Sequence, residues 1–490
     1  MSPEDVARQH QFREGFRLVD FGEVGLPIFR LTVEAVTMAQ RSLPTIQEFV
    51  MRCLAMGETQ EADVARMLGL KNEIVRGSVN ALVSDGYVSR QPGPGEASFR
   101  LTEAGETRLG YEREEVPQEE MLVIDYDGIR RVPVRLTGES VVRAAELNTA
   151  GAVQIRPYPA EPPSIEHLNI PDVTRVIRRQ GGEDFRRTVL ALKRVVRRNN
   201  LFREAVALVF VGEKTDEVQV AFVISGKLSD AHERAFAEHS GPRKMGFVRS
   251  IAVGETRRQL ERSVGKAMMR RLPGAQDVRA MRKEEADAFV AASVVRPLAD
   301  RISGRARQSD PAVAGLVAAE ERLQVARHAL NALAVRPLAC FEQDELLDEA
   351  LEKASQSLVL TTAGWQSTIL TGFRLRSIDA LIGKGVRIQM ESVLPPQTEP
   401  RGGDHFDPLA EISKRSERGL LSLRKGERRE FYFLVQDDEL AVVCNRPFLG
   451  EVSRRAGFIC VEGIVARSRE LVEEIRQIAL PDRGAKRRDR

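Results

Sequence analysis

The sequence predicts a multidomain protein of mixed α+β and α/β class. Three observations lead there. The chain has 490 residues, which at roughly 100–200 residues per domain is room for three or four domains. The spacing of apolar residues changes along it: a helical period between residues 45 and 109, two-residue alternation between 121 and 136, and a strand, helix, strand succession from 337 onward. Hydrophobic residues make up 42% of the chain without any long unbroken apolar run, so several cores and no membrane span are expected.

Composition narrows the function. Lys plus Arg number 74 against 71 Asp plus Glu, a net charge of +3, so affinity for phosphate has to come from local clusters of charge. Most of the positive charge is Arg, whose planar fork suits bidentate contacts to phosphates and carboxylates. Cys53, Cys340, Cys444 and Cys460 form no C-x-x-C pair and lie in apolar stretches, the pattern of buried free thiols in a reducing compartment. The six His show no H-x-x-x-H spacing, so no metal site is expected. Neither a G-x-x-x-x-G-K-S/T loop, nor a G-x-S-x-G elbow, nor a dinucleotide fingerprint occurs, so no cofactor is expected. The stretch MSPEDVARQHQFREGF is charged and lacks the apolar centre of a signal peptide. A cytoplasmic protein is the expectation.

Residues 1–44 read as an N-terminal extension and 45–111 as a small domain. TIQEFVMRCLAMGE and TQEADVARMLGL are two helices; Val64, Ala65 and Leu68 line one face of the second, and Gly69 permits a tight turn. KNEIVRGSVNALVSDGYV is a third helix, with Val75, Val79, Leu82 and Val83 at i, i+4, i+7 and i+8. Two strands around a Pro-Gly loop and a Thr-capped helix follow. Asn72, Arg76 and Asn80 recur at i, i+4 and i+8 away from the apolar face; Arg reads guanine and Asn reads adenine in a major groove. Arg90 and Arg100 fall in the strand pair, within reach of phosphates. This order of elements, with its ending Leu101-Thr102-Glu103-Ala104-Gly105, resembles the winged-helix domains of prokaryotic regulators. The resemblance implies the fold over residues 45–109. For function it leaves two readings, DNA contact and docking of a protein partner.

Residues 112–255 read as a central α+β domain. The acidic 112–120 looks like a linker, Asp127-Gly128 marks a hairpin, and the prolines between 157 and 171 mark an extended connector. Arg175 to Arg198 holds nine Lys or Arg against Glu183 and Asp184. Phe185, Val189, Leu192 and Val196 there form a helical stripe, with Arg186, Arg187, Lys193, Arg194, Arg197 and Arg198 mostly off it. An amphipathic helix with a phosphate-binding outer face is the expectation. Two apolar strands around Gly212-Glu213-Lys214 and a helix from Ser229 to Glu238 follow, then a charged helical region, 256–336.

Residues 337–480 read as an α/β domain with a parallel crossover, followed by a basic tail, 481–490. The order of helix, strand, Trp365, helix closed by Gly383-Lys384-Gly385, strand, long loop, helix and hairpin resembles the phospholipase D superfamily. The resemblance implies a signature His-x-Lys-x-x-x-x-Asp with a small polar pair downstream. Here the His position holds Glu430, the Lys position Tyr432, the Asp position Asp437, and the pair ends at Asn445. Without the His nucleophile and the Lys cation, the domain is expected to have lost its chemistry. A prokaryotic DNA-binding or scaffolding protein follows, with DNA and a protein partner or second copy as its contacts. Regulation, genome maintenance and anti-phage defence are settings suggested by analogy alone. A divergent phosphodiesterase or nuclease, or an assembly subunit that touches no DNA, are the alternatives.

Overall fold

The computed structural model describes residues 1–41, 43–92, 97–110, 114–136, 141–180, 188–251, 253–302, 310–367, 369–393, 407–427, 429–450 and 457–480. Arg186, Arg187 and the tail 481–490 lie outside them. The chain forms two compact units, a larger one of residues 1–26, 141–158 and 202–490 and a smaller one of 27–140 and 159–201. The class is mixed α+β, as predicted. No helix among the described residues is long and apolar enough to cross a membrane.

In chain order, α1 (Pro3–Gln9), β1 (Phe12–Arg13) and the long β2 (Phe16–Arg41) lead into α2 (Thr45–Ala55), α3 (Glu61–Leu68) and α4 (Asn72–Ser84). The hairpin β3 (Val88–Gln91) and β4 (Ser98–Leu101), α5 (Glu103–Gly110), β5 (Glu114–Asp127), β6 (Val132–Val134), β7 (Val141–Val142), α6 (Ala144–Ala150), β8 (Val153–Gln154) and α7 (Ile170–Gln180) come next. Then follow β9 (Thr188–Gly212), β10 (Val218–Ile224), β11 (Lys227–Leu228), α8 (Asp230–Glu238), α9 (Gly241–Lys244), α10 (Phe247–Ser250), α11 (Val253–Val264), α12 (Lys266–Arg270), α13 (Ala275–Ala299) and α14 (Pro311–Asn331). The last elements are β12 (Val335–Pro337), α15 (Gln343–Lys353), β13 (Ser357–Thr362), α16 (Gly372–Gly383), β14 (Arg387–Ser392), α17 (Pro408–Glu417), β15 (Ser422–Lys425), β16 (Tyr432–Gln436), β17 (Leu440–Cys444), β18 (Gly463–Ala466) and α18 (Arg469–Ala479).

The smaller unit has two cores. In one, Phe29, Leu31, Val33 and Ala35 of β2 and Leu122, Ile124 and Tyr126 of β5 bury one sheet face beneath Val173 and Ile177 of α7. Strict alternation along Phe29–Ala35 is what lets one face bury and the other stay polar. The second core collects Val50 and Leu54 of α2, Val64 and Ala65 of α3, Val75, Val79 and Leu82 of α4, and Val88 and Phe99 of the β3–β4 hairpin. The ending Leu101–Gly105 has a packing reason. Thr102 Oγ1 donates to the Gly86 carbonyl at 2.8 Å and accepts from the Gly105 N–H at 3.1 Å. A Cβ on Gly105 would sit 2.1 Å from the Tyr87 carbonyl oxygen. Gly105→Ala is expected to cost about 1–3 kcal/mol through forced separation of α5 from that carbonyl, seen as a lower midpoint in thermal unfolding of the full chain. An unchanged midpoint would mean that α5 slides freely.

The larger unit holds a seven-stranded sheet in the order β12-β18-β17-β16-β13-β14-β15. The β13–β14 and β14–β15 pairs are parallel, the others antiparallel. The predicted crossover is therefore present as β13–α16–β14. Alternate residues serve opposite faces: Tyr432, Leu434, Val442 and Cys444 pack with α15 and α16, and Phe433, Val435, Ala441 and Val443 with α11 and α18. Both faces are covered, which is why β16 and β17 are apolar at every position but Gln436.

Three expectations are corrected. The segment expected as an Arg-rich amphipathic helix is extended from Thr188 onward, in β9. Val189, Val195 and Val196 are β-branched and Asn199-Asn200 is a weak helix former, and the strand gains β2 as a neighbour. Val189 is buried while Val196 is exposed, so the stripe does not form. From Glu114 the expected acidic linker is the start of β5, and Pro117 faces Met38 across the ladder where β5 has no other described neighbour, an edge position that tolerates a missing N–H. The N-terminal extension is integral: Val6, Ala7 and Phe21 lie in the core of the larger unit.

Candidate nucleic-acid interface

A helix–turn–helix is built from α3, Gly69-Leu70-Lys71 and α4. Gly69 takes φ +67°, the left-handed conformation that glycine adopts without strain. The Leu70 N–H reaches the Ala65 carbonyl at 2.9 Å and the Gly69 N–H the Arg66 carbonyl at 3.3 Å, a Schellman closure of α3. This fixes where α4 begins. With Val75, Val79 and Leu82 buried, the flank of α4 beside them presents Asn72, Arg76 and Asn80, all exposed. The predicted i, i+4, i+8 face is thus formed. Arg76 Nε donates to Glu61 Oε2 of α3 at 3.0 Å, a partnership between residues fifteen apart that no spacing rule marks. Arg90 and Arg100 are exposed on the adjacent hairpin.

The basic residues of β9 are arranged differently from the expected helix face. Arg194 Nε donates to Glu34 Oε2 of β2 at 2.7 Å, and this bond holds the Glu34 carboxyl below its usual range. Lys193 pairs with Glu119 of β5 and lies 4.0 Å from Glu34. Arg197 and Arg198 are exposed and, among the described residues, without an ion pair. Successive strand residues point to opposite sides, so Arg197 and Arg198 do not share one surface.

The C-terminal hairpin does not gather its four singled-out residues. Tyr432 stands opposite Cys444 at one end of the β16–β17 pair, while Asp437 lies in the turn at the other, five residues along or roughly 16 Å away. Glu430 is exposed and accepts from Gln259 Nε2 at 3.3 Å. Tyr432 is 4% exposed. Asn445 is occupied on both sides of its amide, donating to the Cys460 carbonyl at 2.8 Å and accepting from the Glu462 N–H at 3.1 Å. Asp437, with φ +45°, accepts from the N–H groups of Ser355, Gln356 and Ser357 at 2.7–2.8 Å and from Ser355 Oγ at 3.0 Å. Burial pushes its carboxyl up, but the backbone donors outweigh that and hold it below the usual range. This is a turn-fixing carboxylate. A cavity of about 890 Å³ in the same unit is lined by none of these four; acids such as Glu342, Asp344 and Glu345 alternate there with Arg8, Arg336 and Arg374. The described residues contain no group of three or more His, Cys, Asp or Glu placed to hold a metal ion.

No protein-family model matches the chain, and no curated protein matches it. Among solved structures there are partial likenesses. One is TrmBL2, described as an archaeal chromatin protein with a novel mode of DNA binding: 18% identity over 34% of this chain and 58% of its own, TM-score 0.22. Another is NucT from Helicobacter pylori, with 9% identity over 30% of this chain and 93% of that one, TM-score 0.22. A third is the phosphatidylserine synthase of Haemophilus influenzae Rd KW20, with 15% identity over 33% of this chain and 45% of that one, TM-score 0.20. The matched regions thus span less than two thirds of the TrmBL2 and synthase chains. Likenesses of this size leave the function to the side chains.

Proposed function

We propose that this chain binds duplex DNA through residues 45–111, with α4 in the major groove and the β3–β4 hairpin against the phosphates, while the C-terminal α/β part serves as a non-catalytic scaffold. One observation carries the reading: α4 buries Val75, Val79 and Leu82 and leaves Asn72, Arg76 and Asn80 exposed along one flank. Those are residue types whose side chains match adenine and guanine edges. Arg90 and Arg100 on the hairpin, with one of Arg197 and Arg198 on β9, supply cations of the kind that neutralise phosphates. Arg186 and Arg187 belong to the same proposal by charge. Lys193 and Arg194 contribute only by giving up Glu119 and Glu34. The non-catalytic half rests on Glu430 and Tyr432 supplying neither a nucleophilic imidazole nor an ammonium, and on the engagement of the Asp437 and Asn445 side chains.

The test is a mobility shift with full-length protein and duplex DNA at two salt concentrations. Binding that weakens steeply with salt is expected, and Arg76→Ala is expected to weaken it about ten- to hundredfold on a preferred sequence. Because Arg197 and Arg198 lie on opposite sides of β9, one of the two single Ala variants should flatten the salt dependence by about one counterion and the other should leave it unchanged. Absence of any shift at low salt would remove the DNA reading. Cleavage of a phosphodiester by the pure protein, lost on altering Glu430 or Asp437, would remove the scaffold reading.

A further inference from the structure

The Arg76 guanidinium is held by one edge. Its Nε is bonded to Glu61 Oε2 at 3.0 Å, and the side chain of Arg76 is 62% exposed while that of Glu61 is 18% exposed. The outer nitrogens, Nη1 and Nη2, have no partner among the described residues. Glu61 is the first residue of α3, where a carboxylate also suits the helix N-terminus. The Schellman turn at Gly69 then sets α3 against α4, so that Glu61 reaches the second turn of α4. A planar fork pinned at its inner edge keeps two parallel N–H donors on the other, the arrangement that the O6 and N7 acceptors of guanine require.

We propose that Glu61 is a positioning residue that aims Arg76 at guanine, making the preferred ligand a duplex with a G·C pair at the centre of the α4 footprint. This rests on the DNA-binding reading and deepens it. Asn72 and Asn80, one turn to either side and both exposed, face the flanking positions. Holding a rotamer-rich side chain in its bound geometry before contact favours binding by roughly three- to tenfold.

Charge alone predicts the opposite sign for Glu61, which makes the idea testable. A carboxylate near DNA repels phosphates, so removing it should tighten binding to every sequence. Positioning predicts that Glu61→Ala weakens binding to the preferred sequence about three- to tenfold and erodes discrimination between G·C and A·T at the Arg76-dependent position. Glu61→Gln keeps an acceptor for Nε without the charge, and should retain discrimination while binding all sequences somewhat more tightly.

The experiment enriches a randomised duplex pool on the full-length protein. It then measures Kd for the selected duplex and for its single G·C to A·T variant with wild type, Glu61→Ala, Glu61→Gln, Arg76→Ala and the Glu61→Ala/Arg76→Ala double variant. Arg76→Ala should abolish discrimination, and adding Glu61→Ala to it should change discrimination no further. If Glu61→Ala tightens binding uniformly and leaves discrimination intact, Glu61 is only a repelling charge and the inference is overturned while DNA binding stands. If the wild type enriches nothing, both fall. Melting curves of each variant separate lost positioning from lost folding, and Glu61→Gln carries the test if Glu61→Ala does not fold.

Discussion

Glu342→Gln is expected to destabilise the larger unit by about 3–5 kcal/mol, the cost of leaving buried cations without their counter-charge. Glu342 precedes α15 and is buried. Its carboxylate accepts from Arg336 Nη1 at 2.8 Å, from Arg282, and from the Ala339 N–H at 2.9 Å. Arg282 and Arg336 are themselves buried. Burial pushes the Glu342 carboxyl up, yet the two guanidinium groups outweigh it and hold the group well below the usual carboxylate range. The amide of Gln can accept one of these bonds but brings no charge, leaving Arg336 without a carboxylate among the described residues and Arg282 with Glu285 alone, at 3.9 Å. Replacing all three with apolar residues of similar volume, Arg282→Met, Arg336→Met and Glu342→Leu, should recover part of the loss, because the buried Glu285 that remains keeps Arg8 as its partner at 3.0 Å. Urea unfolding followed by far-ultraviolet circular dichroism checks both. A single variant as stable as wild type would show that water reaches the cluster and the carboxylate contributes nothing.

Asp437→Asn is the second large effect, about 3 kcal/mol. Asparagine tolerates the left-handed backbone of this turn, so the change isolates the carboxylate. One side-chain oxygen is replaced by a donor that faces the N–H groups of Ser355–Ser357, leaving at least one of them without an acceptor in a buried place. The pH dependence follows from the same contacts. The folded-state pKa lies below the ordinary value, so the contribution is present in full above the unfolded value of about 3.9 and is lost as pH falls through the folded value. The stability gap between wild type and Asp437→Asn should therefore be constant from pH 7 to about 5 and close at lower pH. A gap that persists unchanged into strong acid would mean that the carboxylate is not the source of the stabilisation.

The legible parts of the chain were those in which local pattern and tertiary role agree. Val75, Val79 and Leu82 recur at helical spacing and bury as one face, so α4, and with it the exposure of Asn72, Arg76 and Asn80, could be read directly. The crossover β13–α16–β14 was equally plain, since an apolar run and an alternating one, Ile388 and Met390, stand on either side of a helix. Phe29–Ala35 alternates strictly, a strand pattern that the reading of residues 1–44 as an extension passed over. The basic segment failed for a different reason. Val189, Leu192 and Val196 fit a helical period by spacing alone, and only the presence of β2 as a pairing partner decides for strand. At the interface, residue identities were readable but partners were not. Glu61, Glu34 and Glu119 each come from a separate element, and whether a given Arg is free to meet a phosphate depends on them.

Val6, Ala7 and Phe21 share a core with Phe341, Leu358 and Leu434, residues that leave the ribosome more than 300 positions later. At about 5–20 residues per second, that interval is on the order of 15–70 s. The N-terminal segment thus meets its first core partners, Leu208, Phe210, Ala221 and Val223, when β9 and β10 emerge, and the rest only with the C-terminal sheet.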